Sequence, residues 1–325
     1  MSISNGIGGN KRLNTPPLIV NLRRGSSIES VHRVHAVVSD AKGRVLMNAG
    51  QSDYRTFIRS SLKPFQALPF ISSGTLEKIK CGEKSIAICC SSHNGSPTHA
   101  RESFKILWNS DLDVNNLLCP VPKGKKSRLE HNCSGKHAGF LATCKKMKWP
   151  LENYLDGKHP LQQEIIRRVA ELLGLPSDEL IAARDDCGAP TLELQLAQMS
   201  LLYAHLSESK HADLEQISRA IIAHPELIAG DGAFDTELMR RAHNQIISKG
   251  GAEGIQCLGK TGEGIGVAIK VEDGSKRAKQ AVALHILRQL EWITPIGLQE
   301  LEEEILLLTP GVQLEVKGEL RFQQN

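Results

Sequence analysis

Aromatic residues are scarce in this chain, and several familiar binding motifs are missing from it. Only 4% of the 325 residues are Phe, Trp or Tyr, which is too few for a base-stacking surface. The formal net charge is only +4, without the strong basic character that nucleic-acid binding requires. Neither a G-x-G-x-x-G fingerprint nor a Walker A loop occurs. We therefore expect no nucleic-acid partner.

Long apolar runs are missing as well. No segment approaches the length of a membrane span. Residues 1–15 are polar and rich in Gly and Asn, without the apolar core of a secretory signal. We expect a cytoplasmic protein with no membrane partner, a disordered tail at 1–15 and a single domain at 16–325. The eight cysteines contain no C-x-x-C pair, and in a reducing cytosol we interpret most of them as small core residues.

Strand patterns lie at both ends of the chain, and helical patterns dominate the middle. Residues 17–23, 31–38 and 44–47 predict antiparallel strands, and three apolar runs between 245 and 271 predict an antiparallel meander. Helices are predicted, among other places, at residues 134–147, 161–173, 190–205, 212–224 and 275–292. The order predicts a mixed α/β (α+β) fold. Its antiparallel sheet comes from both chain ends and packs on helices, with a helical region inserted at roughly 95–240.

An S-x-x-K motif is formed by Ser60 and Lys63. On a helix, positions i and i+3 share one face, so the hydroxyl and the amine can come within hydrogen-bond reach. Pro64 is tolerated best in a first helical turn, which places Ser60 at the start of the helix. The lysine can act as a general base if burial and nearby positive charge lower its pKa from about 10.4.

Two later motifs complete a recognisable set. Ser92 and Asn94 form S-x-N in a loop, and Lys249 and Gly251 form K-x-G near a late strand. S-x-x-K, S-x-N and K-x-G together are typical of serine β-lactamases, penicillin-binding proteins and their amidase relatives, whose fold suits the predicted layout. A second K-T-G at 260–262 is better interpreted as a hairpin turn, and we prefer Lys249.

Two cysteines far apart in the chain could contribute to a metal site. Cys133 and Cys187 are soft ligands, and the nitrogen donors Lys136, His137 and His131 lie near Cys133 in sequence. Two thiolates and one nitrogen, with an open position, are typical of catalytic zinc. Residue chemistry alone favours a histidine as the nitrogen ligand. The alternative interpretation is two buried core cysteines.

Six ordered motifs together resemble the rhizobial-type, or class 3, L-asparaginase family. The resemblance as a whole runs from about residue 18 to residue 290, and E-S-x-H at 29–32 fits the family too. The motifs are R-S-x-x-K-P-F-Q-A-L-P (Arg59 to Pro69), C-S-S-H-N-G (Cys90 to Gly95), H-N-C-S-G-K-H-A-G (His131 to Gly139), D-x-C-G-A-P (Asp185 to Pro190), K-x-G-A-E-G (Lys249 to Gly254) and G-V-A-I-K-V-E-D-G (Gly266 to Gly274).

The resemblance implies a fold similar to serine β-lactamases and glutaminases, a homodimer, and hydrolysis of L-asparagine to L-aspartate and ammonia. It implies two serine–lysine pairs, Ser60 with Lys63 and Ser92 with Lys249. The chain departs locally from the family at Gly250, where a larger residue is frequent.

The resemblance also implies a zinc cofactor held by Cys133, Lys136 and Cys187. Lysine ligates a metal only as the neutral amine, so binding must remove its proton. A second departure lies beside this set, because Asp186 stands where the family commonly has glycine.

The resulting hypothesis is acyl transfer. Ser60, deprotonated by Lys63, attacks the side-chain amide of asparagine, and water hydrolyses the aspartyl-enzyme. Which serine bonds to the substrate stays open at this point. Further candidates for contacts to substrate or to the zinc ligands are Arg59, His93, Asn94, Asp185 and His137. The alternatives are a serine hydrolase acting on β-lactams or peptides, and a non-enzymatic asparagine-binding protein.

Overall fold

Both ends of the chain contribute strands to one large antiparallel sheet, as the sequence predicts. The computed structural model describes residues 15–208, 210–306 and 308–323. Its strands are β1 (Leu18–Arg24), β2 (Ser27–Asp40), β3 (Val45–Ala49), β4 (Arg55–Phe57), β5 (Ile181–Arg184), β6 (Pro190–Gln195), β7 (Ile246–Gly250), β8 (Ile255–Lys260), β9 (Ile265–Val271), β10 (Val312–Lys317) and β11 (Arg321–Phe322). The large sheet has the order β10-β1-β2-β9-β8-β7, with β3 on β2 and β11 on β3. The predicted meander is confirmed as β7, β8 and β9.

Helices fill the middle of the chain and its last part. They are α1 (Lys63–Gln66), α2 (Leu68–Ser72), α3 (Thr75–Lys78), α4 (Glu83–Cys90), α5 (Pro97–Asn109), α6 (Ser134–Met147), α7 (Pro160–Leu173), α8 (Leu196–Glu208), α9 (Ala212–Ala223), α10 (Pro225–Ile228), α11 (Phe234–Arg241), α12 (Lys276–Gln289) and α13 (Pro295–Ile305). The fold class is therefore confirmed: an antiparallel sheet from both chain ends packs on helices, most of which are inserted between β4 and β7.

The sheet is covered on both faces because its central strands are apolar on both sides. Val37 lies in the core that includes α8, whereas its neighbour Val38 lies in the core that includes α12. Successive side chains of a strand point to opposite faces, so α8 and α12 lie on opposite sides. Gly266 permits the close approach of α8, since a Cβ there would lie 2.0 Å from the carbonyl oxygen of Ser200.

One predicted helix is wrong over its first part. The sequence predicts a helix over 190–205, but Pro190–Gln195 is strand β6 and the helix begins at Leu196. Strand β6 pairs with β4 and β5 in a second, three-stranded sheet that the sequence analysis did not predict. The proline stands at the start of the strand, where the lack of an N–H group costs least. This small sheet holds β4, the strand that leads into the turn containing Ser60.

Two expectations about chain organisation lie partly outside the structure. Residues 1–14 of the tail predicted at 1–15 are not among the described residues, and the single domain at 16–325 stays a prediction. Within the described residues, none of the helices has the length and apolar character needed to cross a membrane.

Candidate active site

A cavity of about 500 Å³ opens where the start of the S-x-x-K turn, the loop after α4 and the end of β7 meet. Four of its lining residues, Ser60, Ser92, His93 and Asn94, are predicted site residues. The structure therefore gathers at one surface two serine motifs that lie well apart in the sequence.

Ser92 lies between two lysine side chains. Its Oγ is 2.9 Å from Lys63 Nζ and 2.8 Å from Lys249 Nζ. The backbone holds Ser92 in place after the end of α4, since its N–H donates to the carbonyl oxygen of Ile228 at 2.7 Å. The predicted pair of Ser92 with Lys249 is in contact, and Ser92 also contacts Lys63. In the described chain Lys63 Nζ donates to Ser91, Ser92 and Asn132 and forms no hydrogen bond with Ser60, its predicted partner.

Lys63 and Lys249 are both buried, at 0% and 1% exposure. Lys63 Nζ also donates to the carbonyl oxygens of Ser91 at 2.5 Å and Asn132 at 3.3 Å. Lys249 Nζ donates to the carbonyl oxygen of Gly250 at 2.9 Å. Both amines are therefore held in fixed positions with no carboxylate in direct contact among the described residues.

Burial lowers the pKa of Lys249 to about 7, with the positive charges of Lys63 and Lys279 adding to the effect and Asp235 opposing it. A lysine with this pKa is partly neutral near pH 7, and its lone pair can then accept the proton of a hydroxyl. Lys249 is therefore suited to be the proton acceptor of the cluster.

Ser60 lies at the start of a short 3-10 turn, Arg59–Leu62, that leads directly into α1. The predicted position at a helix start is confirmed. Within the described chain, the Ser60 side chain has no hydrogen bond to a protein group, so its hydroxyl is available to a ligand. The next residue, Ser61, donates from Oγ to the carbonyl oxygen of Lys249 at 2.8 Å, which ties this turn to β7.

Arg59 has a left-handed backbone, with φ of 54°. Its N–H donates to Thr191 Oγ1 at 3.1 Å, and its guanidinium pairs with Asp185 and Asp186 at 2.8 Å each. These contacts hold a conformation that costs a non-glycine residue about 1–2 kcal/mol. Arg59 and Asp185, both expected to bind substrate, are thus paired with each other.

His93 and Asn94 lie in the cavity wall as expected. The His93 ring contacts Ser134 Oγ at 3.0 Å through Nε2 and accepts from the N–H of Gly95 at 3.0 Å through Nδ1. Burial lowers the pKa of His93 well below its usual value. The ring is therefore neutral, and both nitrogens are already in use.

The three residues of the expected zinc site lie together. Cys133, Lys136 and Cys187 are all buried, and Lys136 Nζ lies 3.2 Å from Cys187 Sγ. The neighbouring Cys133 side chain, and then the positive charge of Lys136, lower the pKa of Cys187. The two sulfur atoms are donors that zinc prefers, whereas Lys136 could join them only as the neutral amine, and against the opposing effect of burial the neighbouring Cys187 and Cys133 raise its pKa.

His137 borders this cluster. Its Nδ1 contacts the hydroxyl of Tyr154 at 2.7 Å, whereas its Nε2 is buried without a hydrogen-bond partner in the part of the chain that the structure describes. Burial lowers the pKa of His137 to about 4. Among the described residues, no group of three or more His, Cys, Asp or Glu side chains is placed to hold a metal ion.

The sequence analysis missed three polar residues of the same cavity: Asp235, Gln256 and Lys279. Asp235 accepts from Ser248 Oγ at 2.7 Å and from the N–H of Gly250 at 2.8 Å. None of the three belongs to a recognisable sequence motif. No local pattern therefore distinguishes them from ordinary polar residues of a helix or strand.

The chain belongs to the L-asparaginase II family, whose model matches residues 20–322. This confirms the resemblance carried by the six motifs. Membership supports an amidohydrolase with a small-molecule substrate. None of the curated proteins compared with the chain matches it.

The chain is also similar to solved structures at low identity. One is Mglu, with 12% identity, a TM-score of 0.42, and coverage of 80% of this chain and 67% of that chain. Mglu in its glutamate form matches with 12% identity and a TM-score of 0.42, and covers 80% of this chain and 62% of that chain. A β-lactamase from Mycobacterium bovis has 10% identity, a TM-score of 0.36, and coverage of 80% of this chain and 95% of that chain.

Proposed function

We propose that the protein is an L-asparaginase that transfers the aspartyl group of L-asparagine to a serine and then to water. The observation that carries this proposal is the hydroxyl of Ser92, which joins Lys63 and Lys249 at the wall of the cavity that Ser60 also lines. Family membership supports the reaction class.

In the proposed mechanism, Ser60 Oγ attacks the side-chain amide carbon of the substrate. Lys63 takes the proton of Ser60 while passing a proton through Ser92 Oγ to Lys249. The proton then returns along the same path to the leaving nitrogen, so ammonia leaves and an aspartyl ester remains on Ser60. Water hydrolyses this ester with the same groups acting in reverse order.

Ser60 is favoured as the nucleophile because its hydroxyl is not used by another protein group in the described chain, whereas two amines already contact Ser92. The first N–H groups of a helical segment have no partner within it. The N–H of Ser60 is therefore available to the developing oxyanion; losing one such donor typically lowers kcat by about 100- to 1,000-fold.

An ammonia-release assay tests this function. We expect release from L-asparagine, with added hydroxylamine diverting part of the product to aspartyl hydroxamate through the acyl-enzyme. L-glutamine, small peptides and a penicillin serve as comparison compounds. Binding of asparagine without ammonia release would contradict the proposal in favour of a binding protein, and covalent labelling by penicillin alone would favour the β-lactam-acting alternative.

Zinc is proposed as the cofactor, held by Cys133, Lys136 and Cys187. When bound, such an ion can polarise a carbonyl group or position a water molecule. The chain's own contribution is a buried donor set in which Cys187 is readily ionised. A homodimer and a cytoplasmic location stay predictions.

Metal analysis tests the zinc site. We expect purified protein to hold zinc in stoichiometric amount and Cys187→Ser to lose it, because the thiolate is replaced by a weak hydroxyl ligand. Cys81→Ser is the matched control, since Cys81 lies outside the cluster and is only half-buried. Undiminished stoichiometric zinc in Cys187→Ser would refute the ligand assignment.

A further inference from the structure

Three polar side chains converge on a small recess beside Gly250, in the wall of the active-site cavity. A Cβ atom at Gly250 would lie 3.0 Å from Lys279 Nζ, 3.1 Å from Gln256 Oε1 and 3.2 Å from Asp235 Oδ2. A side chain at residue 250 would press on all three polar atoms, so glycine is what lets them lie side by side in the cavity wall.

Gln256 directs an unused acceptor to this recess. Its side chain is buried, with 1% exposure, and its Nε2 donates to Asp235 Oδ1 at 2.8 Å and Ser248 Oγ at 3.0 Å. A flipped amide would place its oxygen against the carboxylate, so these bonds set the orientation. Gln256 Oε1 has no partner in the described chain. A buried acceptor without a partner is unfavourable, and a ligand N–H group would satisfy it.

Lys279 supplies a cation to the same place. It lies on α12, half-buried, and its Nζ donates to the carbonyl oxygen of Gly251 at 3.3 Å. Among residues 15–208, 210–306 and 308–323, no carboxylate forms a salt bridge with it. Lys279 can therefore pair with a carboxylate of a ligand.

We propose that this recess binds the α-amino acid head group of the substrate. Lys279 binds the α-carboxylate, and Gln256 Oε1 accepts a hydrogen bond from the α-ammonium. An α-amino acid carries a cationic ammonium group and an anionic carboxylate, which match a hydrogen-bond acceptor and a cation placed side by side. The assignment rests on the proposed function. It replaces the predicted substrate contacts of Arg59 and Asp185, whose charged groups are already paired with each other.

Gly250→Ala crowds the three polar atoms without removing any of them. Its backbone tolerates alanine, since φ of Gly250 is not positive. We expect kcat/KM for L-asparagine to fall by about 10- to 100-fold, the loss typical of a charged hydrogen bond. Gly82→Ala is the matched control, because its Cβ would meet no atom within 4 Å. Unchanged kcat/KM in Gly250→Ala would overturn the proposal.

Truncated substrates separate the two contacts. Succinamate lacks the α-amino group, and 3-aminopropanamide lacks the α-carboxylate. The assay is run at about pH 9, where Lys249 is largely neutral even without the charge of Lys279. Lys279→Met should then lower kcat/KM by about 10- to 100-fold for L-asparagine and succinamate, but by less than about threefold for 3-aminopropanamide. Equal losses on all three compounds would show a general structural effect and overturn the proposal.

Calorimetry with L-aspartate separates this proposal from the proposed function, since product binding needs no turnover. Weaker L-aspartate binding by Lys279→Met than by the unaltered protein supports the recess even if no ammonia is released from L-asparagine. Equal binding overturns the recess assignment even if ammonia release is normal.

Discussion

Replacing Ser60 by alanine is expected to lower kcat for ammonia release from L-asparagine by about 10⁴- to 10⁶-fold, as for other serine nucleophiles. The change removes the atom that forms the ester. It should leave the fold intact, because the Ser60 side chain is half-buried and has no hydrogen bond within the described chain. Steady-state kinetics and thermal melting measure the two effects.

Ser72→Ala is the matched control for this variant, since Ser72 is an exposed serine of α2. Its kcat and melting temperature should equal those of the unaltered protein. Near-normal turnover in Ser60→Ala, together with lost turnover in Ser92→Ala, would move the nucleophile to Ser92. Peptide mapping of the acylated protein would locate the ester directly.

Replacing Lys249 by methionine is expected to lower kcat by about 10²- to 10⁴-fold, the usual contribution of a general base. Lys249→Arg should lose as much, because its guanidinium stays protonated and cannot accept the proton. Near-normal turnover in Lys249→Arg would contradict a role as proton acceptor and leave only the positive charge as its contribution.

The pH dependence of the unaltered protein tests the same role. Burial lowers the pKa of Lys249 to about 7, so the amine becomes protonated as the pH falls through this value. Protonated Lys249 cannot accept a proton, and kcat/KM should fall about tenfold per pH unit below about pH 7. A flat profile between about pH 5 and 8 would be inconsistent with this assignment.

Local patterns predicted most elements of the fold. The alternation of β2 and the Gly-separated runs of β7 to β9 indicate strands, and the amphipathic pattern of α7 indicates a helix ended by Gly174, whose φ is 64°. Strand β6 was mistaken for helix because its pairing partners, β4 and β5, lie elsewhere in the sequence. Short strands are decided by partners that no local pattern contains.

The sequence by itself determined which reactive groups are present and that they occur in short motifs: two serines and two lysines, two cysteines with a lysine, and the layout of strands and helices. Only the tertiary structure decided that Ser92 joins both lysines, since Ser92 and Lys249 are 157 residues apart. It also decided that Gly250, Gln256 and Lys279 share one recess. The physical reason is that burial and hydrogen-bond distance depend on contacts between distant segments, which set the pKa of Lys249 and the unused acceptor of Gln256.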